Sequence, residues 1–289
     1  TRDYAEVFRF DEMSQGMVGS QPRIGFGGDR RIALRVLEFL VSEGCVPECL
    51  LVAWEETETH AGALEHCFME AGGKTVFRGR EVFTAQSLLS LEKMDLDFLI
   101  LVHLQYKIPA SILSLPKRGV LNLHPAYLPE NRGWHTPTWA ILNETKFGVT
   151  LHFMDQGIDE GDIVHQRELM IEPFDTADSL YQKALDLEYE VFREAWPSLA
   201  NLSYQRVQQP FLAGEIHKKK DLDMSGVREL KLEESIPVGA LIRKLRALTT
   251  SRLEEACYFE EGGQKYWLQV KMGEVSSSAE RAPEQKGAI

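Results

Sequence analysis

Between Arg23 and Val102 the chain alternates short apolar runs with amphipathic stretches, and this alternation limits the possible folds more than any other feature. Strands separated by helices pair in parallel, because each crossover returns the chain to the end of the sheet where the previous strand began. Arg23-Ile24-Gly25-Phe26-Gly27-Gly28-Asp29 reads as a strand closing in a glycine turn, and Ile32 to Leu40 carries its apolar residues at helical spacing. Further strands are expected at Cys49 to Trp54, Thr75 to Phe77 and Asp97 to Val102, with helices over Ala61 to Ala71 and Ala85 to Lys93. The expectation is an α/β protein with a Rossmann-like, mostly parallel sheet flanked by helices. A ligand would then lie beyond the carboxyl ends of the strands. The glycine turn at Gly25 to Gly28 matches neither a full dinucleotide fingerprint nor a P-loop, and tight strand-to-helix packing explains it as well as phosphate binding does.

The stretch from Leu121 to Asn143 carries the chemistry. Asn122 and His124 are one residue apart, so on an extended segment an amide and an imidazole project to the same side. The alternating run Val149-Thr150-Leu151-His152-Phe153-Met154 reads as a strand, and the turn after it, Gly157-Ile158-Asp159-Glu160-Gly161-Asp162, supplies a carboxylate. When a nucleophile attacks an acyl carbon it must lose a proton while the carbonyl oxygen gains negative charge. The reaction calls for a base near neutrality and a donor aimed at that oxygen. His124 suits the first role and Asn122 the second, with Asp159 stabilising and orienting the imidazole. Each of the three alone is an ordinary strand-end or turn residue. Their combination points to an enzyme.

These residues, and several segments in the same order around them, resemble the folate-dependent formyltransferases. That family includes glycinamide ribonucleotide transformylase, methionyl-tRNA formyltransferase and the nucleotide-sugar N-formyltransferases. The resemblance runs from about Ile24 to about Ile171, and Asn122, His124 and Asp159 fall on the family's catalytic Asn, His and Asp. It includes the loop Leu128-Pro129-Glu130-Asn131-Arg132-Gly133 and is most similar to the sugar enzymes at Asn131 to His135, at Val102-His103 before Tyr106-Lys107-Ile108-Pro109, and at Gly148 to His152. Thr136-Pro137 departs from the pattern, since many relatives carry the proline one position earlier. The resemblance implies 10-formyltetrahydrofolate as formyl donor, with Val102, His103, Leu104, Tyr106 and Ile108 bordering the folate pocket, and a homodimer. It implies a nucleotide-linked amino sugar as acceptor. His103 could equally be a structural histidine at a strand end.

The remaining features sharpen or narrow this reading. Arg132 could hold an anionic group or pair with Glu130. Trp134, in a loop, is a candidate to stack on a sugar or base, whereas Trp139 opens an apolar helix and belongs to the core. The run His217-Lys218-Lys219-Lys220 is either a solvated face or, as in the sugar enzymes, a diphosphate contact through Lys218 and Lys219. With 289 residues and 44% hydrophobic content, the chain accommodates a large domain and a small one. Residues 1–22 read as an N-terminal extension, 23–200 as the catalytic domain, 201–273 as a small α+β module and 274–289 as a disordered tail. In the module a helix is expected from Ile236 to Leu248, and a hairpin joining Ala256-Phe259 to Tyr266-Val270 across Gly262-Gly263. A long helix spans Ser179 to Leu199. Cys45, Cys49, Cys67 and Cys257 show no metal-ligand spacing, so buried thiols and no metal are expected. No apolar run approaches the roughly 20 residues of a membrane span, and the N-terminus has no signal-peptide pattern, so a cytoplasmic enzyme without membrane contact is expected. The net charge of −12 disfavours nucleic-acid binding. This places methionyl-tRNA formyltransferase second, beside a ligand-binding relative that has lost activity.

Overall fold

The computed structural model describes residues 21–53, 60–210, 215–224 and 226–275. Most of the expected N-terminal extension and tail, and Trp54 at the end of its expected strand, lie outside them. In chain order the elements are β1 (Ile24–Gly28), α1 (Arg30–Ser42), β2 (Cys49–Val52), α2 (Ala61–Glu70), β3 (Val76–Arg78), α3 (Ala85–Lys93), β4 (Phe98–Val102), α4 (Ala110–Leu113) and β5 (Gly119–His124). They continue with β6 (Arg132–Gly133), α5 (Thr136–Asn143), β7 (Gly148–Phe153), β8 (Ile163–Glu168) and α6 (Ala177–Ala200). The last are β9 (Ile216–His217), β10 (Glu229–Leu230), α7 (Val238–Ala247), β11 (Cys257–Glu261) and β12 (Gln264–Leu268).

The central sheet has seven strands in the order β3-β2-β1-β4-β5-β7-β8. Strands β1 to β5 are parallel, whereas β7 runs antiparallel to β5 and β8 antiparallel to β7. β1, β2 and β4 are buried at every position, which is why they read as unbroken apolar runs: helices cover both faces. One face packs against Val36, Leu37 and Leu40 of α1 and Leu180, Val191, Phe192 and Trp196 of α6. The other packs against Leu91 of α3 and Ile112 of α4. Helix α6 begins two residues before its expected start because Thr176 and Ser179 form a capping box. The glycine turn after β1 serves close packing, since a Cβ at Gly28 would lie 2.6 Å from Ala33 Cβ and 2.7 Å from the Val102 carbonyl oxygen.

A three-stranded sheet, β10-β11-β12, forms the small module. Its β11–β12 hairpin turns at Gly262 and Gly263, both at positive φ (61° and 77°), the conformation that a two-residue turn between twisted strands requires. Helix α7 ties this module to the large sheet: Arg246 donates to the carbonyls of Asp175 and Glu172, both at 2.7 Å, and Asp178 N–H donates to Thr249 O at 3.0 Å. Leu222, Leu248 and Cys257 close over Trp139, which is buried as expected. Cys45 and Cys49 are buried as well, and burial pushes both thiols up to about 12. Among the described residues no helix is long and apolar enough to cross a membrane. Phe192 of α6 is fully buried, its ring against Phe39 of α1 and Trp196 one turn further along α6. Phe192→Ala should therefore lower unfolding stability by about 3–5 kcal/mol, measured by urea denaturation.

Candidate active site

The register between β5 and β7 sets the site. Asn122 lies opposite His152 and His124 opposite Thr150, so all four side chains share the sheet face that α6 does not cover. The turn after β7 folds over this face and carries Asp159, whose backbone is left-handed at φ 53°. Asp159 Oδ2 lies 3.4 Å from His124 Nε2, and Oδ1 lies 3.7 Å from His152 Nε2. Gly133 N–H donates to Asp159 Oδ2 at 2.9 Å. The three residues singled out in the sequence are thus brought together.

His152 was quoted in the sequence only as part of a segment, and the structure places it inside the cluster. Its Nδ1 lies 2.8 Å from the carbonyl oxygen of Phe153, which can only accept, so Nδ1 carries the proton. The Nε2 lone pair is then free to accept from Asn122 Nδ2 at 3.3 Å, and this fixes which way the Asn122 amide faces. Full burial lowers the His152 pKa, opposed in part by Asp159, and keeps the ring neutral. For Asp159, burial raises the pKa, but His124, His152, the Gly133 N–H and Arg132 outweigh it and the net shift is downward. An ionised carboxylate therefore stands between two imidazoles. His124 Nε2 is buried and makes no hydrogen bond among the described residues, the Asp159 carboxylate lying 3.4 Å away.

Thr150 shapes the loop that leaves β5. Its Oγ1 donates to Ala126 O (2.7 Å) and accepts from Leu128 N–H (3.1 Å) and Gln166 Nε2 (2.8 Å). Further on, Arg132-Gly133 pairs in parallel with Ile216-His217, and Trp134 N–H donates to His217 O at 2.8 Å. The basic run is thereby laid along the loop, with Lys219 Nζ 5.4 Å from the centre of the Trp134 ring. Lys218 and Lys219 are exposed, and Trp134 is 44% exposed. Arg132 pairs with Glu160 at 2.9 Å, because the turn carrying Asp159 brings Glu160 alongside. Pro137 falls in the first turn of α5, where its missing N–H costs no helix bond.

Val102 ends β4 next to Leu123, buried, and Leu104 reaches to within 3.5 Å of where a Gly27 Cβ would stand. Tyr106 packs edge-on against Phe83, and Ile108 is buried with Val82 and Ile112. His103 turns towards α6, where its Nε2 meets both oxygens of the fully buried Glu188 at 2.8 and 2.9 Å. Its imidazole thus serves the link between β4 and α6. Among the described residues no group of three or more His, Cys, Asp or Glu is placed to hold a metal ion.

Family models and known proteins match the chain along most of its length. The family model described as formyl transferase matches residues 53–196, and the N-formyltransferase dimerization C-terminal domain matches 223–274. The dTDP-4-amino-4,6-dideoxyglucose formyltransferase of Mycobacterium tuberculosis is 32% identical over 176 residues, which is 60% of this chain and 72% of that protein. A sugar N-formyltransferase from Shewanella sp has the same fold, with a TM-score of 0.73 at 19% identity over 88% of this chain and 99% of that one. The formyltransferase PseJ from Anoxybacillus kamchatkensis was solved with UDP-4,6-dideoxy-4-formamido-L-AltNAc and tetrahydrofolate; it is 28% identical with a TM-score of 0.51, over 68% of this chain and 98% of that one.

Two groups in the site link its geometry to acid stability. In the unfolded chain His152 protonates below its ordinary 6.5, whereas the folded form resists the proton, so stability should fall as pH drops below 6.5. Asp159, shifted downward, adds a contribution that is present above its ordinary 3.8 and lost as pH falls through its lower folded value. Thermal midpoints of the wild type should decline more steeply below pH 6.5 than those of His152→Gln. Parallel curves would show that His152 does not resist protonation.

Proposed function

The chain belongs to the formyl transferase family and is a folate-dependent N-formyltransferase, and from that membership we propose that it formylates the amine of a nucleotide-linked amino sugar, using 10-formyltetrahydrofolate. The observation that carries the reading is the cluster of Asn122, His124 and Asp159, with the buried His124 Nε2 3.4 Å from the Asp159 carboxylate. The bound folate supplies an activated formyl carbon. His124 takes a proton from the attacking amine, and the Asn122 amide donates to the carbonyl oxygen as it becomes negative; when the carbonyl re-forms, the bond between the formyl carbon and the folate nitrogen breaks, and that nitrogen takes the proton from His124 and leaves as tetrahydrofolate. Asp159 favours the imidazolium that His124 becomes on taking that proton, and His152 holds the Asn122 amide through its fixed lone pair. No covalent enzyme intermediate is needed.

We place the donor beside Val102, His103, Leu104, Tyr106 and Ile108, because β4 pairs with β5 and so brings this segment next to Asn122. The nucleotide fits along Trp134, Arg132, Lys218 and Lys219, where a flat aromatic face and two exposed cations lie together. The match to a dimerization domain over 223–274 supports a homodimer.

His124→Ala or His124→Asn should lower turnover by on the order of a hundredfold or more without loss of fold. Asp159→Asn should be impaired comparably, since an amide cannot stabilise the charged ring. Folded variants with near-normal turnover would remove these assignments. In a panel assay with formyl donor, the chain should formylate nucleoside-diphosphate amino sugars. Lys218→Ala combined with Lys219→Ala should raise their KM by roughly tenfold with kcat nearly unchanged, as expected for lost charge-assisted contacts. Efficient formylation of methionyl initiator tRNA in place of the sugars would reverse the choice of acceptor.

A further inference from the structure

After α6 the chain does not leave directly for the small module but runs back across the turn that carries Asp159. Arg206 Nε donates to Asp162 Oδ2 at 3.0 Å, and its guanidinium lies 3.8 Å over the Phe153 ring. Val207 exchanges both backbone hydrogen bonds with Ile163, at 2.8 and 2.9 Å. Gln209 Nε2 then donates to two carbonyls of the turn, Asp159 O at 2.9 Å and Gly161 O at 2.7 Å. This strap falls between the stretches matched by the two family models, 53–196 and 223–274.

We infer that Gln209 is a positioning residue for the formyl transfer: its side-chain amide holds the 159–161 turn in the shape that keeps the Asp159 carboxylate against His124. The turn needs such a hold. Asp159 sits at φ 53°, a left-handed conformation that a residue with a Cβ adopts only where its surroundings impose it. Gly161 is pressed so close to the end of β7 that a Cβ would lie 2.0 Å from Phe153 O. Between these two points the carbonyls on either side of Glu160 converge on one donor group. A reversed amide would set its oxygen against two carbonyl oxygens, so the orientation is fixed. In that orientation Gln209 Oε1 is buried without a partner among the described residues. Packing alone would be met by an apolar side chain without this cost, so the position is explained by the two donated hydrogen bonds. What they protect is the 3.4 Å separation of Asp159 Oδ2 and His124 Nε2.

The inference rests on Asp159 acting through His124, and a double-mutant cycle in the full chain tests both. Gln209→Met keeps the size and removes the donor; a displacement of about 1 Å at the carboxylate should lower kcat by on the order of ten- to a hundredfold. Both KM values should stay within about twofold, because the residue touches neither substrate. In an Asp159→Asn background the same change should cost less than about twofold more, since its effect has already been removed. Multiplicative losses in the double variant, or a raised KM at unchanged kcat, would overturn the inference. Near-normal turnover of Asp159→Asn alone would overturn the role of Asp159 and the inference with it. Gln209→Glu is the second variant: its carboxylate opposes both carbonyls and should lose at least as much kcat, and unchanged kcat there would count equally against the inference.

Discussion

The antiparallel pairing of β7 on β5 is the constraint from which the rest of the site follows. In the parallel part of the sheet each strand is reached through a helix, and the polar ends meet only at the rim. By entering antiparallel, β7 sets its own alternate residues, Thr150 and His152, directly across from His124 and Asn122. One pair fixes an amide, and the other anchors the loop that leaves His124 through the carbonyl of Ala126 and the N–H of Leu128. A slip of one residue in this register would turn both polar residues of β7 into the core formed with α6 and put Leu151 and Phe153 in the site. The apolar face of the same strand prevents that slip. Packing and chemistry are therefore specified by one pattern.

The electrostatics follow the same economy. A buried carboxylate is tolerable when its charge is matched, and Asp159 Oδ2 accepts from the Gly133 N–H and lies 3.4 Å from His124 Nε2. Burial keeps His152 neutral, and the Phe153 carbonyl decides which of its nitrogens holds the proton. The Gly133 N–H is available because that residue also sits at positive φ, 94°, with its backbone so close to His217 O that a Cβ would stand 2.2 Å away. A side chain there would break the pairing of β6 with β9 and remove the donor from Asp159 in one step.

What the sequence disclosed and what it concealed divide along physical lines. Asn122 and His124 were legible because a strand has period two, and Thr150 with His152 carried the same signal, two polar residues on alternate positions of an otherwise apolar run. The β11–β12 hairpin was legible through its paired glycines. β8 was not, since Ile163 to Glu168 is a half-exposed edge strand whose His165, Arg167 and Glu168 face solvent and charged neighbours on α6 and β7's entry. The strap from Arg206 to Gln209 was hidden for a different reason. It is held by individual hydrogen bonds from side chains and a single bridge, and such contacts leave no periodicity. Glu188 was equally obscure: a charged residue on a helical face reads as solvated, and only the position of His103 at the end of β4 makes its burial possible.

The small module is part of the site's walls. His135, left-handed at φ 58°, faces Glu255 at 3.5 Å on one nitrogen and the Lys219 carbonyl at 3.2 Å on the other. Helix α5 begins at the next residue, and its Trp139 stacks flat on His217 with ring centres 4.2 Å apart. Leu222, Leu248 and Cys257 cover the same ring, and two of these three lie with Glu255 in the stretch matched to a dimerization domain beyond its first turn. The loop from Asn131 to Thr136 is consequently pinned by both modules at once: Asn131 to Thr145 within the large one, Gly133 and His135 through β9 and Glu255. Removing the module would uncover Trp139 and release His135, and with it the backbone that offers Gly133 N–H to Asp159. The stretch that resembles an assembly domain and the carboxylate beside His124 are thus joined by the short run of backbone from Gly133 to His135.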